Sequence, residues 1–99
     1  MNYHFTYVML DAKNKVAKIG HTYDVDNRLK QLQYGSSSIL TKVFVRRFGT
    51  SEAARSCEAT LLRQYSSLRL IRPSGRKCEW VRWTRKMNNK LKNDPKNIL

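Results

Sequence analysis

The sequence predicts a small α+β domain: a three-stranded antiparallel sheet flanked by helices, in the order β-β-α-β-α. Three observations carry this expectation. Residues 3–20 alternate on either side of a polar break, Asp-Ala-Lys-Asn-Lys. Two later segments repeat apolar residues at helical spacing, Val25, Leu29 and Leu32, then Ala54, Cys57, Leu61, Leu62 and Tyr65. Between them lies ILTKVFVRRF, rich in β-branched and aromatic residues.

Taken in order, residues 3–10 form a strand with Tyr3, Phe5, Tyr7 and Met9 on one face, and Val16 to Gly20 returns as its hairpin partner. Two short strands alone are marginal in water, so later elements must cover them. Thr22 or Asp24 caps the next helix, with acids in its first turn suiting the helix dipole, and Gly35 with three serines ends it. Ile39 to Phe48 is the third strand. Gly49-Thr50-Ser51-Glu52 starts a second helix, capped by Thr50 or Ser51, that runs to about Tyr65. Arg72-Pro73-Ser74-Gly75 is a firm breaker. Residues 78–83 read as a short strand or turn with two tryptophans, and 84–92 as a basic helix with little apolar face. One domain over residues 1–92 with a flexible tail at 93–99 is expected, since 99 residues support a single core. Five tyrosines, three phenylalanines and two tryptophans suffice to build it.

Charge narrows the function. Twenty basic residues face 7 acidic ones, a net charge of +13, so most cations cannot be neutralised within the chain. They face water or a polyanion, and nucleic acid is the first candidate. No segment approaches the roughly 20 apolar residues of a membrane span. No helix sets a clean Lys/Arg face against an apolar one either, so a membrane partner is not expected. The start MNYHFTYVML lacks the basic and small-residue features of a signal peptide, and an intracellular protein is expected, in the cytoplasm, including that of an infected host cell. Cys57 and Cys78 are too few for a disulfide framework and lack zinc spacing.

Several residues stand out chemically, each with a plainer alternative. Glu58 lies four residues after Ala54 and three before Leu61, beside the apolar stripe, where a carboxylate must be paired or hold a metal. The plainer reading is an ion pair with Arg55 or Arg28. Arg28 flanks Leu29; it is either a solvated helix arginine or a planar fork suited to a phosphate. Tyr7 is either a sheet aromatic or a phenol that relays a proton. Lys18 is either an outward strand lysine or a cation facing the same pocket, with Gly20 allowing close approach of a ligand. His21 could supply a proton or a hydrogen bond.

Together, Tyr7 in TYVM, Lys18 in KIG, Arg28 in NRLKQL, Glu58 in CEATLL and the pair Glu79-Trp80 resemble the GIY-YIG nuclease superfamily, most closely its T5orf172/Mug113-like branch. The resemblance covers roughly residues 3–83 and rests on order and spacing. Here Tyr-Val-Met stands where the superfamily has Gly-Ile-Tyr, and Lys18 where it has a second tyrosine. The resemblance implies a GIY-YIG-like fold and a DNA endonuclease hydrolysing phosphodiester bonds. It also implies one divalent cation, Mg²⁺ or Mn²⁺, on Glu58. Tyr7, Lys18, His21, Arg28 and Glu58 are then the catalytic residues: Tyr7 as general base or relay, Arg28 on the phosphoryl oxygens, and Lys18 with His21 positioning water or phosphate.

Arg69, Arg72, Arg76, Lys77, Arg82, Arg85 and Lys86, interleaved with Trp80 and Trp83, are the expected contacts to duplex DNA. Two other function classes stay open: a non-catalytic nucleic-acid binder on the same scaffold, and a viral protein that blocks a host enzyme through its basic face. Both a monomer and a dimer are compatible with the sequence.

Overall fold

The computed structural model describes residues 3–99. The chain forms β1 (His4–Asp11), β2 (Val16–Thr22), α1 (Val25–Tyr34), β3 (Leu40–Phe48), α2 (Ser51–Gln64), a single 3₁₀ turn (Ser66–Leu68), β4 (Arg69–Ile71), β5 (Lys77–Arg82) and α3 (Arg85–Lys92). The α+β class agrees with the sequence reading, but the sheet has five strands, not three, in the order β3-β1-β2-β5-β4. All four strand pairings are antiparallel. The strand missed from sequence, β4, is three residues long and too short to show alternation. It pairs with β5 across the Arg72–Arg76 turn, where Gly75 takes φ +87° and its N–H donates to the Arg72 carbonyl at 2.8 Å.

Both faces of the sheet are covered. On one, Val8, Ala17, Ile19, Phe44 and Val81 pack beneath Leu61 of α2 and Met87 and Leu91 of α3. On the other, Tyr7, Met9 and Val45 meet the stripe of α1 formed by Val25, Leu29 and Leu32. This is why β1 reads as almost continuously apolar: it lies between two layers, with Thr6 satisfied by donating to the Ala54 carbonyl at 2.7 Å. The caps fall where short polar side chains precede the helices. Asp24 accepts from the Asn27 N–H, Thr50 from Ala53 and Thr84 from Met87. The basic helix α3 does own an apolar face, because Met87 and Leu91, one turn apart, are both buried.

Residues 93–99, read as a tail, make specific bonds. The Asn97 side chain donates to the carbonyls of Val43 (3.1 Å) and Leu91 (3.3 Å) and accepts from the Val45 N–H (3.1 Å). The Ile98 N–H donates to the Val45 carbonyl at 2.9 Å. These bonds satisfy part of the outer edge of β3, which otherwise lacks a neighbouring strand. Among the described residues, no helix is long and apolar enough to cross a membrane.

Candidate active site

The β1–β2 register sets the site. Tyr7 is paired with Gly20 and Met9 with Lys18, so Tyr7 and Lys18 share a face; His21 pairs with Thr6 and faces the other way, toward α2. The ladder between β2 and β5 covers only Val16–Lys18 against Trp80–Arg82. Beyond Lys18 the two strands part. Side chains from both faces of the sheet reach the gap, a cleft of about 470 Å³ lined by Tyr7, Lys18, Gly20, His21, Arg28, Glu58 and Glu79, with His4, Ser51 and Tyr23 at its margins.

All five residues expected to be catalytic therefore come together, from β1, β2, α1 and α2. Arg28 Nε donates to the Tyr7 hydroxyl at 3.3 Å, and its Nη1 to Gln31 Oε1 at 3.1 Å. Glu58, only 7 % exposed, bonds through Oε2 to His21 Nδ1, so its partner is a histidine and not an arginine. Lys18 is 8 % exposed and points into the cleft, with Nζ 3.3 Å from Glu79 Oε1. Gly20 serves a different purpose from the one expected: the space above it holds the Tyr7 ring, not a ligand.

The electrostatics follow from burial and pairing. Burial pushes the Tyr7 phenol above its ordinary range, against the pull of the Arg28 guanidinium. Burial, with the neighbouring Glu79 carboxyl, raises Glu58, while the His21 bond opposes the rise. Glu79 moves the other way, lowered by its hydrogen bond with Glu58 and by the Lys18 cation. The two carboxyls are thus pushed apart, Glu58 toward its protonated form and Glu79 toward its charged one.

Glu79 is the member that residue-by-residue reasoning left without a role. The signal available was scarcity: with only 7 acidic residues in the chain, one inside a strand between lysines and arginines is conspicuous. The expected DNA contacts divide. Arg72, Arg76 and Lys77 sit at the tip of the β4–β5 hairpin, on the cleft side, and the Arg72 charge reaches Glu79. Arg69 is tied back by its Nε to the Cys78 carbonyl at 2.9 Å. Arg82 lies opposite Val16, and Arg85 and Lys86 begin α3 beside it, at the far end of the sheet near the β1–β2 turn.

A family model, the T5orf172 domain, matches residues 4–94. The chain belongs to the T5orf172 domain family. That domain is associated with nuclease-like proteins related to the GIY-YIG group. No curated protein and no solved structure matches the chain.

Proposed function

We propose that this T5orf172-family protein is a metal-dependent endonuclease that hydrolyses phosphodiester bonds of duplex DNA in the cleft between β2 and β5. The observation that carries this reading is convergence. Tyr7, Lys18, His21, Arg28 and Glu58, spread over four elements, line one cleft together with a second carboxylate, Glu79.

A divalent cation fits this cleft. Two carboxyls share it, Glu58 raised by burial and by its neighbour Glu79, and a hard cation between them would offset both the burial and the repulsion. Among the described residues no cluster of three or more His, Cys, Asp or Glu is arranged around one ion. Glu58 would therefore hold a metal that keeps most of its waters, as Mg²⁺ does. When bound, such an ion polarises a phosphoryl oxygen and stabilises the departing one.

The chain's own groups supply the rest. Arg28 offers a planar, permanently charged fork to the phosphoryl oxygens, held at its angle by Tyr7 and Gln31. With its pKa raised, Tyr7 stays a neutral phenol at physiological pH. Its oxygen accepts from Arg28, which leaves its own proton free to donate, so Tyr7 acts as a relay and not as a phenolate base. Lys18, steadied by Glu79, adds positive charge to the cleft floor. The hairpin residues Arg72, Arg76 and Lys77 contact the flanking backbone.

Plasmid incubated with protein in Mg²⁺ or Mn²⁺ tests this directly. Nicking or cutting that disappears in Glu58→Ala is expected; no cleavage by the wild type, or undiminished cleavage by Glu58→Ala, overturns it. One observation favours a second reading, a non-catalytic DNA binder. Four side chains of the cleft already hold one another, Glu58 bonded to His21 and Lys18 to Glu79. Duplex binding without metal-dependent cleavage would establish that reading instead.

A further inference from the structure

We propose that Arg46 and Arg47 form a second phosphate-binding strip, so that duplex DNA lies across the cleft-bearing end of the sheet and is held on both sides of the cleft. This deepens the nuclease reading above and rests on it.

The register places the strip. Arg46 pairs with Thr6, which pairs with His21; Arg47 pairs with Phe5, which pairs with Thr22. Both arginines thus stand level with the cleft, at the same end of the sheet as His21. Being consecutive on a strand, they emerge on opposite faces and flank that end from both sides. The expected contacts Arg82, Arg85 and Lys86 lie at the other end, so the cleft needs cations on its β3 side from elsewhere.

The side chains are set for an anion. The Arg46 guanidinium lies 4.7 Å from the Phe48 ring centroid, and Arg47 lies 4.7 Å from that of Tyr3. Stacking holds each guanidinium by its flat face, which leaves the N–H edges able to fork onto a phosphate. The ion pairs among the described residues involve Lys18, His21 and Lys42, and neither arginine takes part. Pre-ordering on a ring also lowers the entropy lost when the phosphate is bound.

The span suits a duplex. From β3 to β5 is three strand spacings, about 14 Å at roughly 4.8 Å each. At about 3.4 Å per base pair that is about four base pairs. Arg46 and Arg47 on one side, and the Arg72–Lys77 hairpin on the other, therefore meet backbone on either side of a phosphate centred in the cleft.

The test is binding of a fluorescent duplex of about 20 base pairs across a range of salt, comparing two charge-matched variants. Arg46→Gln/Arg47→Gln removes the strip; Lys13→Gln/Lys15→Gln removes two exposed cations from the turn at the opposite end of the sheet. The strip variant is expected to weaken binding about tenfold or more at moderate salt. Its log–log salt slope should become shallower by about 2, since each phosphate contact contributes roughly 0.9. The turn variant should stay within about threefold of wild type. Equal losses in both variants, or no loss in the strip variant, overturn the proposal. If the double variant does not fold, Arg47→Gln alone, at an exposed side chain, should change the slope by about 1, and an unchanged slope overturns it equally. A wild type that binds and cuts DNA while the strip variant is unaffected sinks only the strip. A wild type that binds no duplex even at low salt sinks the nuclease reading as well.

Discussion

A methyl group added at Gly20 would stand 2.5 Å from the Tyr7 ring carbon that bears the hydroxyl, and closer still to the hydroxyl itself. The glycine of the Lys-Ile-Gly triplet is therefore the seat of a buried ring, directly across the hairpin from Tyr7. Gly20→Ala must expel that ring and with it the Arg28–Tyr7 bond. Overpacking of this kind costs roughly 1–3 kcal/mol, and urea unfolding should show a loss in that range. In a Tyr7→Leu background the same change should cost far less. Equal costs in both backgrounds would mean that the clash is not the cause.

Lys18 and Glu79 form an ion pair that is half inside the protein, with the lysine side chain 10 % exposed and the glutamate 42 %. Glu79→Ala leaves the ammonium in the cleft without its partner, and a loss of roughly 1 kcal/mol is expected after screening of the exposed glutamate. Lys42 and Asp26 are a natural control: the contact is shorter, 2.8 Å, but the aspartate is 79 % exposed. Asp26→Ala should cost clearly less than Glu79→Ala. Denaturation in which Asp26→Ala is the costlier change would show that burial does not rank these pairs.

The first two strands, the helix α1, the strand β3 and the helix α2 were legible because each exceeds one full period of its pattern and carries its own cap or turn. The last third of the chain, after Tyr65, was legible only in part: residues 84–92 read as the helix that forms and 78–83 as a strand or turn, but β4 and the apolar face of α3 did not show. There, β4 offers three residues between a 3₁₀ turn and a proline-containing turn, and no alternation can be read over three positions. The apolar face of α3 is two residues, Met87 and Leu91, hidden among lysines and asparagines. The site divides in the same way. Tyr7, Lys18 and Arg28 follow from a hairpin leading into a helix, a local geometry. That Glu58 meets His21 depends on how α2 packs on β2, and that Glu79 meets Lys18 on where β5 parts from β2; both are properties of the packed domain and of no local segment.

Asp11 closes the β1–β2 turn by accepting from the Asn14 backbone N–H (3.1 Å) and side-chain amide (2.8 Å). The side-chain bond with Asn14 is the main reason its carboxyl is held below the ordinary 3.8. A carboxyl lowered in the folded state stabilises the protein fully above its unfolded value. That contribution is lost as the pH falls below about 4, through the folded value. Urea midpoints between about pH 5 and pH 2 should therefore fall less steeply in Asn14→Ala than in wild type. Identical slopes would show that the turn does not bind Asp11 more tightly when ionised. Glu58, whose shift is upward, contributes with the opposite sign, so the comparison between the two proteins isolates the turn.

The sharpest separation of structure from chemistry lies at Arg28 and Glu58. Arg28 is on a helix with no fully buried residue and its side chain bonds only Tyr7 and Gln31 among the described residues, so Arg28→Ala should leave the circular dichroism spectrum and melting nearly unchanged. Its cleavage rate should nevertheless fall by about 10²–10³, the usual cost of removing one donor to developing phosphoryl charge. Arg28→Lys should recover little, because an ammonium cannot replace a planar fork that also contacts the Tyr7 hydroxyl. Tyr7→Phe keeps the ring over Gly20 and removes only the hydroxyl, so it tests the relay without disturbing the seat. Glu58→Gln is close to isosteric and should abolish metal-dependent cleavage while duplex affinity stays within about threefold, since binding rests on cations outside the cleft. If Arg28→Ala and Glu58→Gln instead unfold the domain, the cleft is a structural ion-pair network and its residues hold the sheet, not a phosphate.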